Sequence, residues 1–198
     1  MSSRGLGGRA LAEEDRRERL LDAAEASFCA HGYEGTTIGV LAAEAGVTRP
    51  TVYAYFTSKD GVFRALADRV RQEFLGLQEH VDTSSPERTV REAMAAYLAA
   101  WTRHRGMLTV IAHQALGDPA VRALRDEIVA RAERRNTRFL ERLVADGRAN
   151  PAVPPADLSP VVTGIVTRAA ELAADDPERL EELAARVGDA YLRLAGIG

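Results

Sequence analysis

Apolar residues along the chain recur mostly at intervals of three and four, with charged residues between them and short polar breaks separating the segments. This spacing is typical of amphipathic α-helices. Sustained two-residue alternation and Asn-Gly hairpin turns, which would indicate β-strands, are absent from the sequence. Alanine, leucine, arginine and glutamate are abundant, and all four are strong helix formers. The pattern predicts an all-α fold.

Helix-start and helix-stop residues divide this pattern into about nine helices. Residues 1–12 contain several glycines and serines and are expected to form a flexible N-terminal arm. A first helix is predicted from about Arg16 to Gly32, because glycine commonly ends a helix in the left-handed conformation. The other helices are predicted at about residues 38–45, 49–56, 59–80, 86–104, 106–116, 119–147, 157–174 and 177–195, with the proline-rich segment 150–155 as a linker.

Two short predicted helices in the first third of the chain have the organisation of a helix-turn-helix. The turn between them contains Gly46, and glycine is common in such turns. At about 100° per residue, Thr48, Val52 and Phe56 fall on one side of the second of these helices and are expected to be buried. The opposite, outward arc holds Pro50, Thr51, Tyr53 and Ala54, and Arg49 is long enough to reach it.

The outward arc combines side chains that suit double-stranded DNA. An arginine can contact guanine through two hydrogen bonds, and the apolar surfaces of Pro50 and Ala54 can meet a thymine methyl group. Threonine and tyrosine hydroxyls can bind phosphates. A single helix of this size buries too little surface for operator specificity. We therefore expect a homodimer that reads two half-sites spaced by about one turn of DNA or a multiple of it.

At motif level, residues 16–66 resemble the TetR family of transcriptional regulators. The resemblance depends on Thr36-Thr37, Ala42–Val47, Thr51–Tyr53, Tyr55-Phe56 and Ser58–Asp60. It implies DNA contacts, to the groove or to phosphates, at Thr37, Arg49, Pro50, Thr51, Tyr53, Tyr55 and Lys59. Thr48 and Ala54 complete the set of candidate DNA-binding residues. Ala54 departs from the family pattern, in which a larger residue, often histidine, is common, so one base-reading side chain is missing.

The resemblance also implies a domain organisation and a function. It implies a three-helix DNA-binding head at residues 13–60 and a helical bundle for ligand binding and dimerisation at residues 61–198. The function implied is that of a repressor that binds operator DNA as a dimer and is released by a small-molecule effector. Two alternatives stay open: a transcriptional activator or co-repressor-dependent regulator, and a helical protein-interaction module. The second is favoured by residues 1–60, which hold seven basic and nine acidic side chains.

The central and C-terminal helices contain candidates for an effector pocket and a dimer interface. Small-molecule sites are mostly apolar with a few polar groups, and the candidate pocket residues are Phe74, Met94, Tyr97, Trp101, His104, Met107, His113, Gln114 and Phe139. The candidate interface residues are Val161, Val162, Gly164, Ile165, Ala169, Leu172, Leu180, Leu183, Val187, Gly188, Tyr191 and Leu194. Ordinary core packing within one subunit remains an alternative for both sets.

Other kinds of chemistry are not indicated. Cys29 is the only cysteine, which excludes an intramolecular disulfide. The four histidines lack metal-ligand spacing, and no catalytic constellation is recognisable, so we expect no metal, no cofactor and no enzyme. No apolar stretch approaches the roughly 20 residues of a membrane span, and no signal peptide is recognisable. We expect a cytoplasmic protein with no membrane contact.

Overall fold

The computed structural model describes residues 4–77, 85–173 and 176–198, with side chains from residue 13 onward. In these ranges every regular element is an α-helix, which confirms the predicted fold class. The nine helices of these ranges are α1 (Arg4–Gly35), α2 (Ile38–Glu44), α3 (Arg49–Tyr55), α4 (Lys59–Gly76), α5 (Pro86–Arg103), α6 (Arg105–Gln114), α7 (Pro119–Ala145), α8 (Pro155–Ala173) and α9 (Pro177–Ala195).

The ends of the first and fourth helices differ from the prediction. α1 begins at Arg4, so residues 4–12, expected as a flexible arm, continue the first helix. Residues 10–14 (ALAEE) are strong helix formers and favour this extension. Gly32 has a φ of 68° and interrupts the helical backbone at the predicted stop. α4 ends at Gly76, and its predicted continuation to residue 80 lies outside the described residues.

The turn between α2 and α3 is formed by a glycine in the left-handed conformation. Gly46 has a φ of 64°, which β-carbon-bearing residues rarely adopt. Its backbone N–H donates to the carbonyl of Ala43 at 3.1 Å, and the N–H of Val47 donates to the carbonyl of Ala42 at 2.9 Å. These two bonds form a Schellman motif, which ends α2 and directs the chain into α3.

One continuous hydrophobic core extends from the N-terminal head into the bundle. Within the bundle, α5, α8 and α9 pack against one another, and α7 packs on α4 and α8. The head contacts the rest of the chain because α1 packs on both α4 and α6. None of the helices in the described ranges is both long and apolar enough to cross a bilayer.

The contact between α1 and α6 is unusually close. A β-carbon placed on Gly106 of α6 would lie 2.6 Å from the sulfur of Cys29 on α1. A side chain at position 106 would force the Cys29 side chain to rotate or the two helices to shift. Glycine at position 106 therefore favours this approach between the head and the bundle.

Arg69 of α4 binds three acidic side chains of α1. Its Nη1 lies 2.7 Å from Asp22 Oδ1 and 3.3 Å from Glu18 Oε2, and its Nη2 lies 2.5 Å from Glu25 Oε2. The three acids are spaced three and four residues apart, so they share one face of α1. Three of the nine acidic side chains of the first 60 residues are thus paired with one arginine of α4.

Candidate DNA-binding surface and ligand cavity

α3 is attached to the head by the apolar side chains that the helical projection predicts. Val52 is 1% exposed and Phe56, which follows the last residue of α3, is 6% exposed. Thr48, which was expected on this buried side, is exposed. The helical projection does not apply to it, because Thr48 has an extended backbone and is the N-cap. Its hydroxyl accepts a hydrogen bond from the N–H of Thr51 at 3.4 Å.

The opposite face of α3 is turned to solvent. Tyr53 is 55% exposed, and Arg49, Pro50 and Ala54 are also exposed. Thr51 is partly buried, and its hydroxyl lies 2.9 Å from that of Thr48. Four of the five residues predicted on the outward arc are thus exposed to solvent. α3 contains no acidic residue, so the net negative charge of the N-terminal region does not come from this helix.

Arg49 lies across the first turn of α2. A β-carbon on Gly39 would lie 2.7 Å from Arg49 Nη2 and 3.1 Å from its Nε, so the guanidinium rests on the glycine. This contact links the first residue of α3 to the second residue of α2. Sequence reasoning missed the role of Gly39. The available signal was a glycine inside a short helix, where it costs about 1 kcal/mol relative to alanine.

Three further predicted contact residues lie around this surface. The hydroxyl of Thr37, the N-cap of α2, accepts a hydrogen bond from the N–H of Val40 at 3.2 Å. Tyr55 is partly buried and packs against the core. The ammonium group of Lys59 donates to the carbonyl of Tyr33 at 2.9 Å and lies 4.1 Å from the centre of its ring. Lys59 therefore fixes the start of α4 against the end of α1 and retains donors for a further acceptor.

A cavity of about 140 Å³ lies in the bundle, between α5, α7, α8 and α9. Of the nine predicted pocket residues, Met94, Tyr97 and Phe139 line it. The other six do not: Phe74, Trp101, His104, Met107, His113 and Gln114. Phe74 and Trp101 pack behind Tyr97, with ring centroids 5.4 Å and 6.5 Å from its own.

The remaining predicted pocket residues have other environments. Met107 is fully buried in the core, and His104 is 5% exposed and lies between two glutamates. His113 is exposed and Gln114 is partly buried at the end of α6. Helical periodicity correctly marks the buried members of this set, but it does not reveal which buried residues face an empty space.

A polar group that was not predicted forms one wall of the cavity. The amide nitrogen of Asn136 donates to the hydroxyl of Ser159 at 2.9 Å, and the hydroxyl of Tyr191 donates to the amide oxygen of Asn136. Burial raises the pKa of Tyr191 above its ordinary value. A serine on the buried face of α8 and an asparagine on α7 were the sequence signals for this wall.

The predicted dimer interface divides into a buried and an outward set. Six of its residues pack inside this chain and are unavailable to a second subunit: Val162, Ala169, Leu183, Val187, Gly188 and Tyr191. Gly188 lies against α5, where a β-carbon would make an ordinary van der Waals contact, 3.7 Å from the Cα of Arg91. The outward set is exposed or partly buried: Val161, Gly164, Ile165, Leu172, Leu180 and Leu194. Val161 and Leu172 are 52% and 50% exposed.

A helix-turn-helix head on a helical bundle places the chain among the helix-turn-helix regulators. Residues 20–66 match the model of the bacterial regulatory proteins, tetR family. Over 84 residues the chain is 40% identical to the HTH-type transcriptional repressor ComR of Escherichia coli (strain K12). That alignment covers 42% of this chain and 40% of ComR. Residues 20–66 therefore belong to the tetR family of bacterial regulatory proteins, as the sequence motifs predicted.

Two further comparisons extend beyond the head. The chain is 28% identical to the HTH-type transcriptional regulator YhgD of Bacillus subtilis (strain 168) over 158 residues, which is 77% of this chain and 78% of YhgD. The crystal structure of the TetR family regulator PfmR from Thermus thermophilus superimposes with a TM-score of 0.74 at 23% identity, covering 88% of this chain and 97% of PfmR. The bundle therefore has the same fold as a solved TetR-family regulator.

Proposed function

We propose that this protein is a homodimeric, cytoplasmic transcriptional repressor that binds operator DNA through α3 and is released by a small-molecule effector. The observation that carries the proposal is the orientation of α3. Val52 and Phe56 fix it from behind, while Arg49 and Tyr53 face solvent on a helix without acidic side chains. The head would comprise residues 13–60, and residues 61–198 would bind the effector and the second subunit.

The exposed residues have the chemistry that DNA contact needs. In this proposal Arg49 contacts a guanine edge, and Pro50 and Ala54 contact thymine methyl groups in the major groove. Phosphates are bound by the hydroxyl and ammonium groups around α3, from Thr37, Thr48, Thr51, Tyr53, Tyr55 and Lys59. The Arg69 cluster supports this assignment, because it offsets part of the negative charge of α1.

Dimerisation is supported by the outward face of α8. Val161 and Leu172 expose large apolar side chains on it, and a β-carbon on Gly164 would meet no atom within 4 Å. A second copy of the same face would cover these groups in a two-fold arrangement. Two heads held in this way would read two half-sites on the operator.

We envisage two conformations of the dimer that differ in the distance between the two heads. Release requires an effector that binds these two conformations with different affinities. The cavity between α5, α7, α8 and α9 is the candidate effector site. α4 runs from the head into the bundle and would transmit the change. A coupling of about 1–3 kcal/mol between effector and DNA is sufficient for useful derepression.

The test is the binding of the full chain to operator DNA. Sequence selection from random duplexes should yield a two-fold symmetric site, and Arg49→Ala should weaken binding to it by about 5- to 150-fold. Arg131→Ala, an exposed arginine of α7, is the matched control and should bind normally. Failure of the wild-type protein to select any sequence at low salt would instead support a protein-interaction module.

A further inference from the structure

The geometry points to a ligand class for the cavity: a carboxylate on a single ring, with a hydroxyl group at the end remote from the carboxylate. The inference rests on the proposed function only where it calls this ligand the effector. Its basis is the size of the cavity, one buried hydroxyl without a partner, and the placement of charged residues around α7.

The size of the cavity selects a compact ligand. Its free space is about 140 Å³, and its apolar wall includes Val90, Met94, Phe139 and Val166. An apolar cavity of about 150 Å³ in another protein holds one benzene molecule. The cavity therefore suits a body of one ring.

Tyr97 supplies a hydrogen-bond donor that nothing in the described chain uses. Its side chain lines the cavity and is 9% exposed, and its hydroxyl has no hydrogen-bond partner. The indole N–H of Trp101 approaches this hydroxyl without reaching hydrogen-bonding geometry. Buried polar groups without partners are rare in folded proteins, and one on a cavity wall is a donor that a ligand in the cavity can use.

Charged side chains lie on two different sides of the cavity. Arg135 and Arg142 are seven residues apart on α7 and share a flank, and Glu133 lies on roughly the opposite flank. Neither arginine has an ion-pair partner among the described residues. Unpaired guanidinium groups on a cavity rim favour a carboxylate, which arginine binds through two parallel hydrogen bonds.

Tyr97 and Glu133 both line the cavity. Burial is the main reason that the pKa of Tyr97 is raised to about 12, and the negative charge of Glu133 adds to it. A hydroxyl group beside both residues can accept a hydrogen bond from Tyr97 and donate one to Glu133. A second carboxylate there would be repelled by Glu133. The two flanks therefore select a hydroxyl at one end of the ring and a carboxylate at the other.

The test compares 4-hydroxybenzoate with two analogues of the same size. Benzoate lacks the hydroxyl group, and 4-hydroxybenzamide replaces the carboxylate with a neutral amide. Calorimetric titration of the full chain, without DNA, should give saturable binding of 4-hydroxybenzoate, about tenfold tighter than either analogue. Trp101 is the only tryptophan and packs on Tyr97, so its fluorescence should change along the same saturation curve.

Substitutions test which residue is responsible for the preference for the hydroxyl group and which for the preference for the carboxylate. Tyr97→Phe should bind 4-hydroxybenzoate only as tightly as benzoate, and it should not lower the melting temperature, because the hydroxyl has no partner in the chain. Arg135→Gln with Arg142→Gln should remove the preference for the acid over the amide. Arg138→Gln, an exposed arginine of α7 outside the cavity lining, is the matched control.

Equal affinities for the three compounds, or no binding at millimolar concentration, would overturn the ligand class. Binding of 4-hydroxybenzoate by a protein that selects no DNA sequence would leave this inference standing and refute the proposed function. A protein that selects an operator but binds none of the three compounds would refute this inference and leave the proposed function standing.

Discussion

The Nε2 atom of His104 lies 2.8 Å from Oε2 of Glu73. The other ring nitrogen of His104 lies 3.5 Å from Oε1 of Glu25. The histidine stands between α5 and α6, whereas Glu73 belongs to α4 and Glu25 to α1. Glu25 and Glu73 together raise the pKa of His104 above its ordinary value and outweigh the effect of burial. The same contact with His104 is the main cause of the lowered pKa of Glu25.

This arrangement predicts a pH dependence of stability near neutrality. The folded protein raises the pKa of His104 above its ordinary value of 6.5, so its stabilising charge is fully present below pH 6.5 and is lost as the pH rises through the folded-state pKa. We expect the stability advantage of the wild-type protein over His104→Gln to shrink as the pH is raised from about 6 to about 8. Urea unfolding at a series of pH values measures it.

The control for this prediction is His31→Gln, which changes an exposed histidine of α1. It should reproduce the wild-type pH profile. If His104→Gln showed the same pH profile as the wild type, the coupling of His104 to the two glutamates would contribute nothing to stability.

The close approach of α1 and α6 predicts a strong effect of a single methyl group. Gly106→Ala should lower the free energy of unfolding by about 1–3 kcal/mol, because the new β-carbon would collide with the sulfur of Cys29. Cys29→Ala in the same chain should restore part of the loss. Gly76→Ala, where a β-carbon meets nothing within 4 Å, is the matched control and should not destabilise. Additive effects of the first two substitutions would contradict the collision.

The contact between Gly39 and Arg49 predicts that a substitution at Gly39 will weaken DNA binding without lowering the stability of the protein. Gly39→Ala should keep or raise the melting temperature, since alanine favours a helix by about 1 kcal/mol and Arg49 can move aside. Operator affinity should fall, because Arg49 loses its position across α2. Adding Gly39→Ala to Arg49→Ala should cause no further loss in a DNA-binding titration. An additional loss there would mean that Gly39 acts through something other than Arg49.

If the outward face of α8 forms the dimer interface, charged substitutions on this face should separate the two subunits. Val161→Glu with Leu172→Glu should convert the protein to monomers, because carboxylates would be buried without partners in the proposed interface. Sedimentation equilibrium measures the change. Val153→Glu alters another exposed valine, outside α8, and should leave the dimer intact. A dimer that survived the double substitution would have to use another surface.

The architecture and α3 were predictable from the sequence because their signals are local. Thr37, Gly46 and Thr48 mark the ends of two short helices, and the spacing of Val52 and Phe56 defines the buried side. The error at Thr48 arose because the helical repeat was extended to a residue with an extended backbone.

The cavity and the interface could not be predicted to the same degree because they depend on how separate helices meet. Tyr191 lies on the apolar stripe of α9 and was assigned to the dimer interface, but it closes the cavity wall through Asn136. Val161 and Val162 are neighbours in sequence, yet one is exposed and the other is buried. Helical periodicity marks an apolar face and does not identify its partner.

The three bonds of Arg69 have a mechanical consequence for the head. They attach successive turns of α1 to one point on α4, so α1 cannot swivel around the α4 axis without breaking ion pairs. In the proposed release mechanism, a tilt of α4 is therefore expected to turn α1 with it. The orientation of the head, and with it the direction in which Tyr53 points, would then follow α4.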